Sequence, residues 1–79
     1  MSYGDIKKEL KQLCENGWDA SFSYAGQNCG IFPNTSTDFL VSIGDNDYHA
    51  TSYDELINLD ISGKTLVEVM SKSTDIQYY

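Results

Sequence analysis

Near the start of the chain, apolar side chains recur with the period of a helix, and polar side chains fill the positions between them. The apolar positions are Ile6, Leu10, Leu13 and Cys14. This spacing places them on one stripe, which predicts an amphipathic helix over residues 3–16. Ser2 followed by Asp5 resembles a capping box at the start of this helix, and Gly17 allows the left-handed backbone that commonly ends one.

Between residues 18 and 51 the period falls to two, which is typical of half-buried strands. Turn-forming residues divide this region at Gly26 to Asn28, at Pro33 to Thr37 and at Gly44 to Asp47. Such turns join neighbouring strands into hairpins. We therefore predict four strands that pair in sequence order as an antiparallel meander, over residues 18–25, 29–32, 39–43 and 48–51.

The last third of the chain returns to helical signals. Ser52 and Glu55 have the spacing of a capping box, which predicts a short helix that runs through Ile57. After an interruption at residues 60–63, apolar side chains again show helical spacing at Leu66, Val69 and Met70. Residues 73–79 are either a tail or an additional strand.

The order of helix, strands and helix predicts one α+β domain over residues 1–79. In this fold the N-terminal helix and the short C-terminal helices pack on one face of the sheet, because each apolar stripe needs a surface to cover it. The opposite face is then open and would carry, with nearby aromatic side chains, Ser21, Ser23, Leu40 and Ser42. The six tyrosines suit an interface, although Tyr24 and Tyr48 can equally complete a small core.

The length of the chain limits the classes of function open to it. A domain of 79 residues has a single thin core, so a deep water-excluding pocket is hard to support, and binding is favoured over catalysis. The start of the chain has no signal-peptide pattern, and no apolar run has membrane-spanning length, which predicts a cytoplasmic protein without membrane contact. The two cysteines, Cys14 and Cys29, are expected to be free thiols.

The net charge of −7 is concentrated in the middle of the chain. Residues 12–63 contain no lysine or arginine but eight carboxylates, which are Glu15, Asp19, Asp38, Asp45, Asp47, Asp54, Glu55 and Asp60. One explanation is solubility. The other is a negative surface that matches a basic partner. Direct binding of nucleic acid is not expected, because the chain has no arginine and only one small group of lysines.

Three short motifs resemble chemical sites but lack essential residues. Gly63-Lys64-Thr65 ends like a phosphate-binding loop without its first glycine, and Asp45 opens a segment that lacks the glycine and glutamate of a calcium loop. His49 is the only histidine, so a nucleophilic Cys14 or Cys29 would have to meet it across the fold. We expect no catalytic residue, no metal site and no cofactor.

Four segments resemble a pattern seen in small orphan proteins of phages and prophages of Gram-positive bacteria. They are Gly30 to Pro33, the Gly44-Asp45 turn, Ser52 to Leu56, and Gly63 to Leu66. The resemblance extends over about half of the chain, and the segments that carry it are mostly caps and turns. The resemblance implies no functional residues, but it implies a context, since small acidic phage proteins include inhibitors of host defence, such as anti-CRISPR proteins, that block nucleic-acid-binding grooves.

The leading hypothesis is a small acidic protein-binding domain of phage type that presents carboxylates to a basic protein surface, such as that of a nucleic-acid-binding defence protein. The residues expected to bind this partner are Asp38, Asp45, Asp47, Tyr48, Asp54, Glu55 and Asp60. The alternative is an accessory or structural module, held by apolar and tyrosine contacts or assembled as a homo-oligomer through a strand edge. A third hypothesis, a small enzyme, would depend on Cys29 or His49.

Overall fold

The computed structural model describes residues 2–79, which form three helices and seven strands. The helices are α1 (Tyr3–Asn16), α2 (Tyr53–Ile57) and α3 (Leu66–Ser71). The strands are β1 (Ala20–Tyr24), β2 (Gln27–Thr35), β3 (Asp38–Ile43), β4 (Asn46–Ala50), β5 (Asp60–Ile61), β6 (Lys64–Thr65) and β7 (Thr74–Tyr78). The α+β class is therefore as predicted, with one more strand in the main sheet and a small second sheet.

The predicted first helix is confirmed at both ends. The Ser2 hydroxyl accepts a hydrogen bond from the backbone N–H of Asp5 at 3.2 Å, which satisfies a donor in the first turn. At the other end Gly17 has a φ of 69° and its N–H donates to the Leu13 carbonyl. A left-handed residue is needed there, and glycine adopts this conformation without strain. The helix buries its apolar stripe at Ile6, Leu10 and Leu13.

Five strands form an antiparallel sheet in the order β4-β3-β2-β1-β7. The first hairpin turn is tighter than predicted, since only Ala25 and Gly26 lie between β1 and β2, both with positive φ. Such a turn matches the right-handed twist of the two strands. β2 also continues beyond Pro33, where its register with β3 shifts, because a bulge tolerates a residue that has no N–H.

The C-terminal segment is the fifth strand of this sheet and not a tail. β7 pairs with β1, and Tyr78 lies opposite Ala20. The Tyr78 hydroxyl donates a 2.8 Å hydrogen bond to Oε2 of Glu9 on α1, so the last strand is attached to the first helix as well as to the sheet. The predicted interruption at residues 60–63 is a two-stranded sheet, β5–β6, with positive φ at Ser62 and Gly63.

All three helices cover the same face of the main sheet. The buried side chains of α1, α2 and α3 form one cluster with the alternate residues of the strands. On the sheet side this cluster contains Ala20, Phe22, Cys29, Ile31, Phe39, Val41, Ile43 and Ala50. The intervening strand residues point to the other face, which no helix covers.

The bond between Tyr78 and Glu9 leads to a stability prediction. Tyr78→Phe keeps the ring, which lies 6.4 Å from that of Trp18, and removes only the hydroxyl. We expect it to lower the free energy of unfolding by about 1 kcal/mol, because it leaves an acceptor without its donor. Urea denaturation measures this loss. Tyr79→Phe is the matched control, since the Tyr79 hydroxyl bonds only exposed side chains; equal losses in both variants would contradict the role of Tyr78.

The same bond predicts how Tyr78 responds to alkaline pH. Burial, followed by the hydrogen bond to Glu9, raises the pKa of Tyr78 well above the usual value for tyrosine. Tyr78 should therefore ionise at a higher pH in the folded than in the unfolded chain, and the stability that its neutral form provides is lost as the pH rises through that alkaline range. Absorbance titration of tyrosinate should show a late step that is missing in Tyr78→Phe.

Candidate protein-interaction face

The uncovered side of the sheet, called here the open face, is formed by the strand residues that alternate with the core. It includes Ser21, Ser23, Asn28, Gly30, Phe32, Asp38, Leu40, Ser42, Asp47, His49 and Gln77, and at its margin Asp19 and Tyr79. The predicted position of Ser21, Ser23, Leu40 and Ser42 on one exposed face is confirmed. The face is mostly polar, with small side chains in its centre.

Phe32 is the main aromatic side chain in the middle of the open face, and it remains 38% exposed. The end of its ring lies against Gly30. A Cβ atom at Gly30 would stand only 2.6 Å from Cζ of Phe32, so any larger residue would push the ring away. The glycine therefore allows the ring to lie along β2 over the sheet, in the way that aromatic side chains cover strand glycines.

Tyr79 provides a second ring on the same face. Its backbone N–H donates to the Asp19 carbonyl at 2.8 Å, and its carbonyl accepts from the Asp19 N–H at 3.3 Å. The Tyr79 hydroxyl lies 3.1 Å from the Ser21 hydroxyl and 3.2 Å from Oε1 of Gln77. These contacts place the ring over the junction of β7 and β1, although 69% of the residue is exposed.

Asp19 lies between these two aromatic residues. Ala20 pairs with Ile31 and with Tyr78, and one further step of the antiparallel register sets Asp19 opposite Phe32 on one side and Tyr79 on the other. Both aromatic side chains lean away from Asp19 along the strands, since the Phe32 ring reaches Gly30 and the Tyr79 hydroxyl reaches Ser21 and Gln77. The Asp19 side chain is exposed and makes no hydrogen bond or ion pair within residues 2–79.

A shallow depression continues along β1 from this point. It has a volume of about 280 Å³ and its exposed lining includes Ser21, Ser23, Asn28, Gln77 and Asp75. Asp75 stands at the bulge where β7 shifts its register with β1. Its φ of 55° is uncommon for a residue other than glycine, although aspartate tolerates it better than most. The depression thus has the hydroxyl groups of two serines and one carboxylate, that of Asp75, in its lining.

The lysines lie only on the covering elements, whereas the carboxylates lie both there and on the open face. The five lysines lie on α1, on β6 and at the end of α3, at positions Lys7, Lys8, Lys11, Lys64 and Lys72. The main sheet and its turns contain none. In contrast, carboxylates lie on or beside the open face at Asp19, Asp38, Asp45, Asp47 and Asp75. The open face is therefore acidic and carries no lysine.

Three of the residues predicted to bind a partner belong to this region. Asp38 and Asp47 lie on the open face of β3 and β4, and Asp45 is in the turn that joins these strands. Oδ1 of Asp38 is 3.4 Å from Nδ1 of His49. Both side chains are about half exposed or more, at 48% and 64%, so the pair is accessible to solvent and to a partner.

The other four predicted residues lie elsewhere. Tyr48 opposes the buried Val41 and packs against the core on the covered side. Asp54 and Glu55 are in the first turn of α2, and Asp60 is in β5. Glu55 accepts hydrogen bonds from the Thr51 hydroxyl at 2.8 Å and the Thr51 N–H at 3.1 Å, which lower the pKa of its carboxyl. Asp60 accepts from the Gly63 N–H at 2.9 Å, so both have local structural roles.

The structure does not bring the cysteines and the histidine together. Cys29 is buried beneath the helices, and burial raises the pKa of its thiol. Cys14 is half-buried on α1, with its pKa raised by burial and by Glu15. His49 lies on the open face, across the sheet from both thiols. Within residues 2–79, no group of three or more His, Cys, Asp or Glu side chains is arranged to hold a metal ion.

Sequence reasoning did not predict a partner-binding role for four charged or aromatic residues of this face, which are Asp19, Phe32, Asp75 and Tyr79. The alternation of Asp19 with Ser21 and Ser23 could have placed the carboxylate on the serine face. No local signal could have placed Asp75 or Tyr79, because their position depends on the pairing of β7 with β1. Phe32 lies two residues after Gly30 in a predicted strand. The contact between its ring and Gly30 could not be predicted, because it exists only in the folded strand.

The contact between Gly30 and Phe32 predicts a spectroscopic signature. A ring that lies over a glycine shields its α protons, so at least one Gly30 Hα resonance should be shifted upfield in the proton NMR spectrum. Phe32→Leu should remove this shift. Gly30→Ala should displace the ring, because the new methyl group would occupy its place. An unshifted Gly30 resonance in the unsubstituted protein would show that the ring stands away from the sheet.

Comparisons with protein-family models, with curated proteins and with solved structures found no match to this chain. The case for a function therefore comes from the geometry described above. In the part of the chain that the structure describes, no helix has the length and apolar character needed to cross a membrane. The feature that most distinguishes the molecule is the acidic, uncovered face of its sheet, with two partly exposed aromatic rings.

Proposed function

We propose that this chain is a non-catalytic protein-binding domain that docks the open face of its sheet onto a basic surface of a partner protein. The observation that carries the proposal is the distribution of the lysines: the open face carries carboxylates that no lysine accompanies, whereas the seven carboxylates of the covering elements lie there together with all the lysines. The sheet has carboxylates but no lysine, and all five lysines lie on the covering elements. A charge arrangement of this kind attracts a basic surface and orients it toward one face during encounter.

The composition of the open face also supports this proposal. Phe32 and Tyr79 are partly exposed aromatic side chains, which contribute much contact area at a small cost in side-chain entropy. Ser21, Ser23 and Ser42 are small and can donate or accept hydrogen bonds. A rigid sheet carries all of them, so little order has to be created on binding.

We further propose that the partner surface is one that binds nucleic acid in the absence of this protein. Carboxylates at fixed positions on a sheet can form ion pairs with lysine and arginine side chains that otherwise contact phosphates. The protein would then act as an inhibitor, as the resemblance to phage proteins implies. Its own lack of arginine and of a basic face is consistent with a protein that replaces nucleic acid and does not bind it.

Paired charge variants test the proposal. Asp38→Asn/Asp47→Asn removes two charges from the open face, and Glu15→Gln/Asp54→Asn removes two from the helical side. Proteins captured from a bacterial lysate at two salt concentrations are compared for each variant. We expect the first pair to weaken binding about three- to tenfold at low salt and the second to have little effect. Equal effects of both pairs would show that only net charge matters.

Competition provides a second test of the proposed inhibition. A partner that is captured through the open face should be released by DNA or RNA at low salt, and without nucleic acid the captured amount should fall as the salt concentration rises. A partner that stays bound in excess nucleic acid, with no dependence on salt, would contradict the proposal. That result would favour apolar contacts and the role of an accessory module.

An assembly of identical copies is the second candidate function, and one observation favours it. β4 is an edge strand of the sheet. In its two-residue hairpin with β3, the backbone groups of Asp47 and His49 point away from β3, because Asn46 and Tyr48 form the hydrogen-bonded pairs. An exposed edge of this kind can pair with another strand.

Sedimentation at increasing protein concentration tests this alternative. If β4 pairs with β4 of a second copy, the mass should double and His49→Pro should restore the monomer, since proline removes one outward N–H. His49→Ala is the control and should leave the dimer unchanged. A monomer at all concentrations would exclude assembly through this edge.

A further inference from the structure

The last turn of α1 contains the one asparagine of this chain that a glycine follows. Asn16 is the final residue of the helix, and Gly17 follows it in the left-handed conformation, with a φ of 69°. The other four asparagines precede Cys29, Thr35, Asp47 and Leu59. Both residues of the pair are exposed, and the space where a Cβ of Gly17 would lie is open. No side chain therefore obstructs the backbone nitrogen of Gly17.

An asparagine that precedes glycine can lose its side-chain amide without an enzyme. The backbone nitrogen of the glycine forms a bond to Cγ of the asparagine, and the bond from Cγ to Nδ2 breaks. The backbone amide proton passes through solvent to the leaving nitrogen, which departs as ammonia. Water then opens the cyclic imide at either carbonyl and gives aspartate or isoaspartate. Glycine favours this reaction because it has no Cβ beside the attacking nitrogen.

In the folded chain, hydrogen bonds of the last helical turn hold both reacting groups. The Gly17 N–H donates to the Leu13 carbonyl at 2.8 Å, and the Trp18 N–H donates to the same carbonyl at 3.1 Å. Nδ2 of Asn16 donates to the Gln12 carbonyl at 2.9 Å. The Gly17 nitrogen must leave Leu13 before it can attack Asn16. These bonds, called here the C-terminal cap of α1, therefore oppose the reaction.

The same connection leads directly to the margin of the open face. The ring of Trp18 lies 6.4 Å from that of Tyr78. Asp19 exchanges backbone hydrogen bonds with Tyr79 at 2.8 and 3.3 Å. Isoaspartate at position 16 would add a carbon to the main chain just before these contacts. Either product would also place a negative charge at the C-terminus of a helix, where the macrodipole disfavours it.

We infer that Asn16 is a site of spontaneous deamidation that the C-terminal cap of α1 protects, and that the isoaspartate product disturbs the pairing of Asp19 with Tyr79. The reaction proceeds from molecules in which the last turn of the helix is open, because helix ends open more readily than the core. This inference goes beyond the proposed function and does not depend on it, since it concerns the chemistry of the connection between α1 and β1.

Incubation of the full chain at mildly alkaline pH, with and without urea, tests the protection. Peptide mapping by mass spectrometry locates the acidic products. In urea, Asn16 should react before the other four asparagines, because only Asn16 precedes a glycine. In the folded chain we expect it to react about tenfold more slowly, because the cap must open first. Equal rates in the two conditions would overturn the protection, and earlier reaction of another asparagine in urea would overturn the site.

A variant at each end of α1 separates opening of the cap from unfolding of the whole chain. Trp18→Leu removes a ring that packs against Tyr78 and the core, so the folded variant should deamidate about three- to fivefold faster at an unchanged rate in urea. Ser2→Ala is the matched control, since it removes the hydrogen bond to Asp5 at the opposite end of the helix and should leave the rate at Asn16 unchanged.

Hydrogen exchange of the Gly17 amide measures the opening directly and should increase in proportion to deamidation in Trp18→Leu. Equal acceleration in Ser2→Ala would show that the reaction follows global unfolding, which would overturn control by the cap. If Trp18→Leu does not fold, the comparison of the unsubstituted chain with and without urea still decides whether the fold protects Asn16.

The purified isoaspartate form tests the structural consequence. Its NMR amide resonances should differ from those of the unmodified chain at Asp19 and Tyr79, and they should agree at Ser42 and Asp47 on the far strands of the sheet. The aspartate form from the same incubation is the control, because it has the same charge without the additional main-chain carbon, and it should show smaller shifts. Unchanged resonances at Asp19 and Tyr79 in the isoaspartate form would overturn the effect on the open face.

Discussion

The burial of a single face of the sheet is the constraint on which the rest of this molecule depends. α1 contributes Ile6, Leu10 and Leu13, and α3 contributes four more buried side chains, to one cluster with the inward residues of the strands. Within residues 2–79, no further helix covers the second face. That face must therefore be stable in water, which accounts for its serines, its glycine and its carboxylates.

The same constraint separates the charges. Lysines suit the exposed stripe of a helix such as α1, where long side chains reach solvent beside an apolar stripe. The strands instead carry short polar residues that alternate with the core. The consequence is a molecule whose covering layer holds every lysine together with seven carboxylates, and whose open face and its turns hold carboxylates and one histidine but no lysine. Such a molecule approaches a basic partner in a preferred orientation, which is the physical content of the proposed function.

Three local contacts give the open face its shape. The end of the Phe32 ring lies over Gly30, the Tyr79 hydroxyl joins Ser21 to Gln77, and the Tyr78 hydroxyl holds β7 to α1 through Glu9. The hydrogen bond between Tyr78 and Glu9 lies on the covered side, but it holds β7 in place, and β7 positions Asp75 and Tyr79. The aromatic residues of the open face are thus held in position before any partner arrives, which lowers the entropic cost of binding.

The sequence by itself determined the elements that local rules govern: the limits of α1, the strand alternation, the capping of the short helices and the exposure of one sheet face. Helix caps, turns and the period of two act over a few residues, so they can be read without the fold. The tertiary structure alone decided that residues 74–78 pair with β1, that Asp19 lies between Phe32 and Tyr79, and that Asp54 and Asp60 are in different elements from Asp38 and Asp47. Contacts between residues far apart in the chain depend on which strands meet, and no local pattern contains that information.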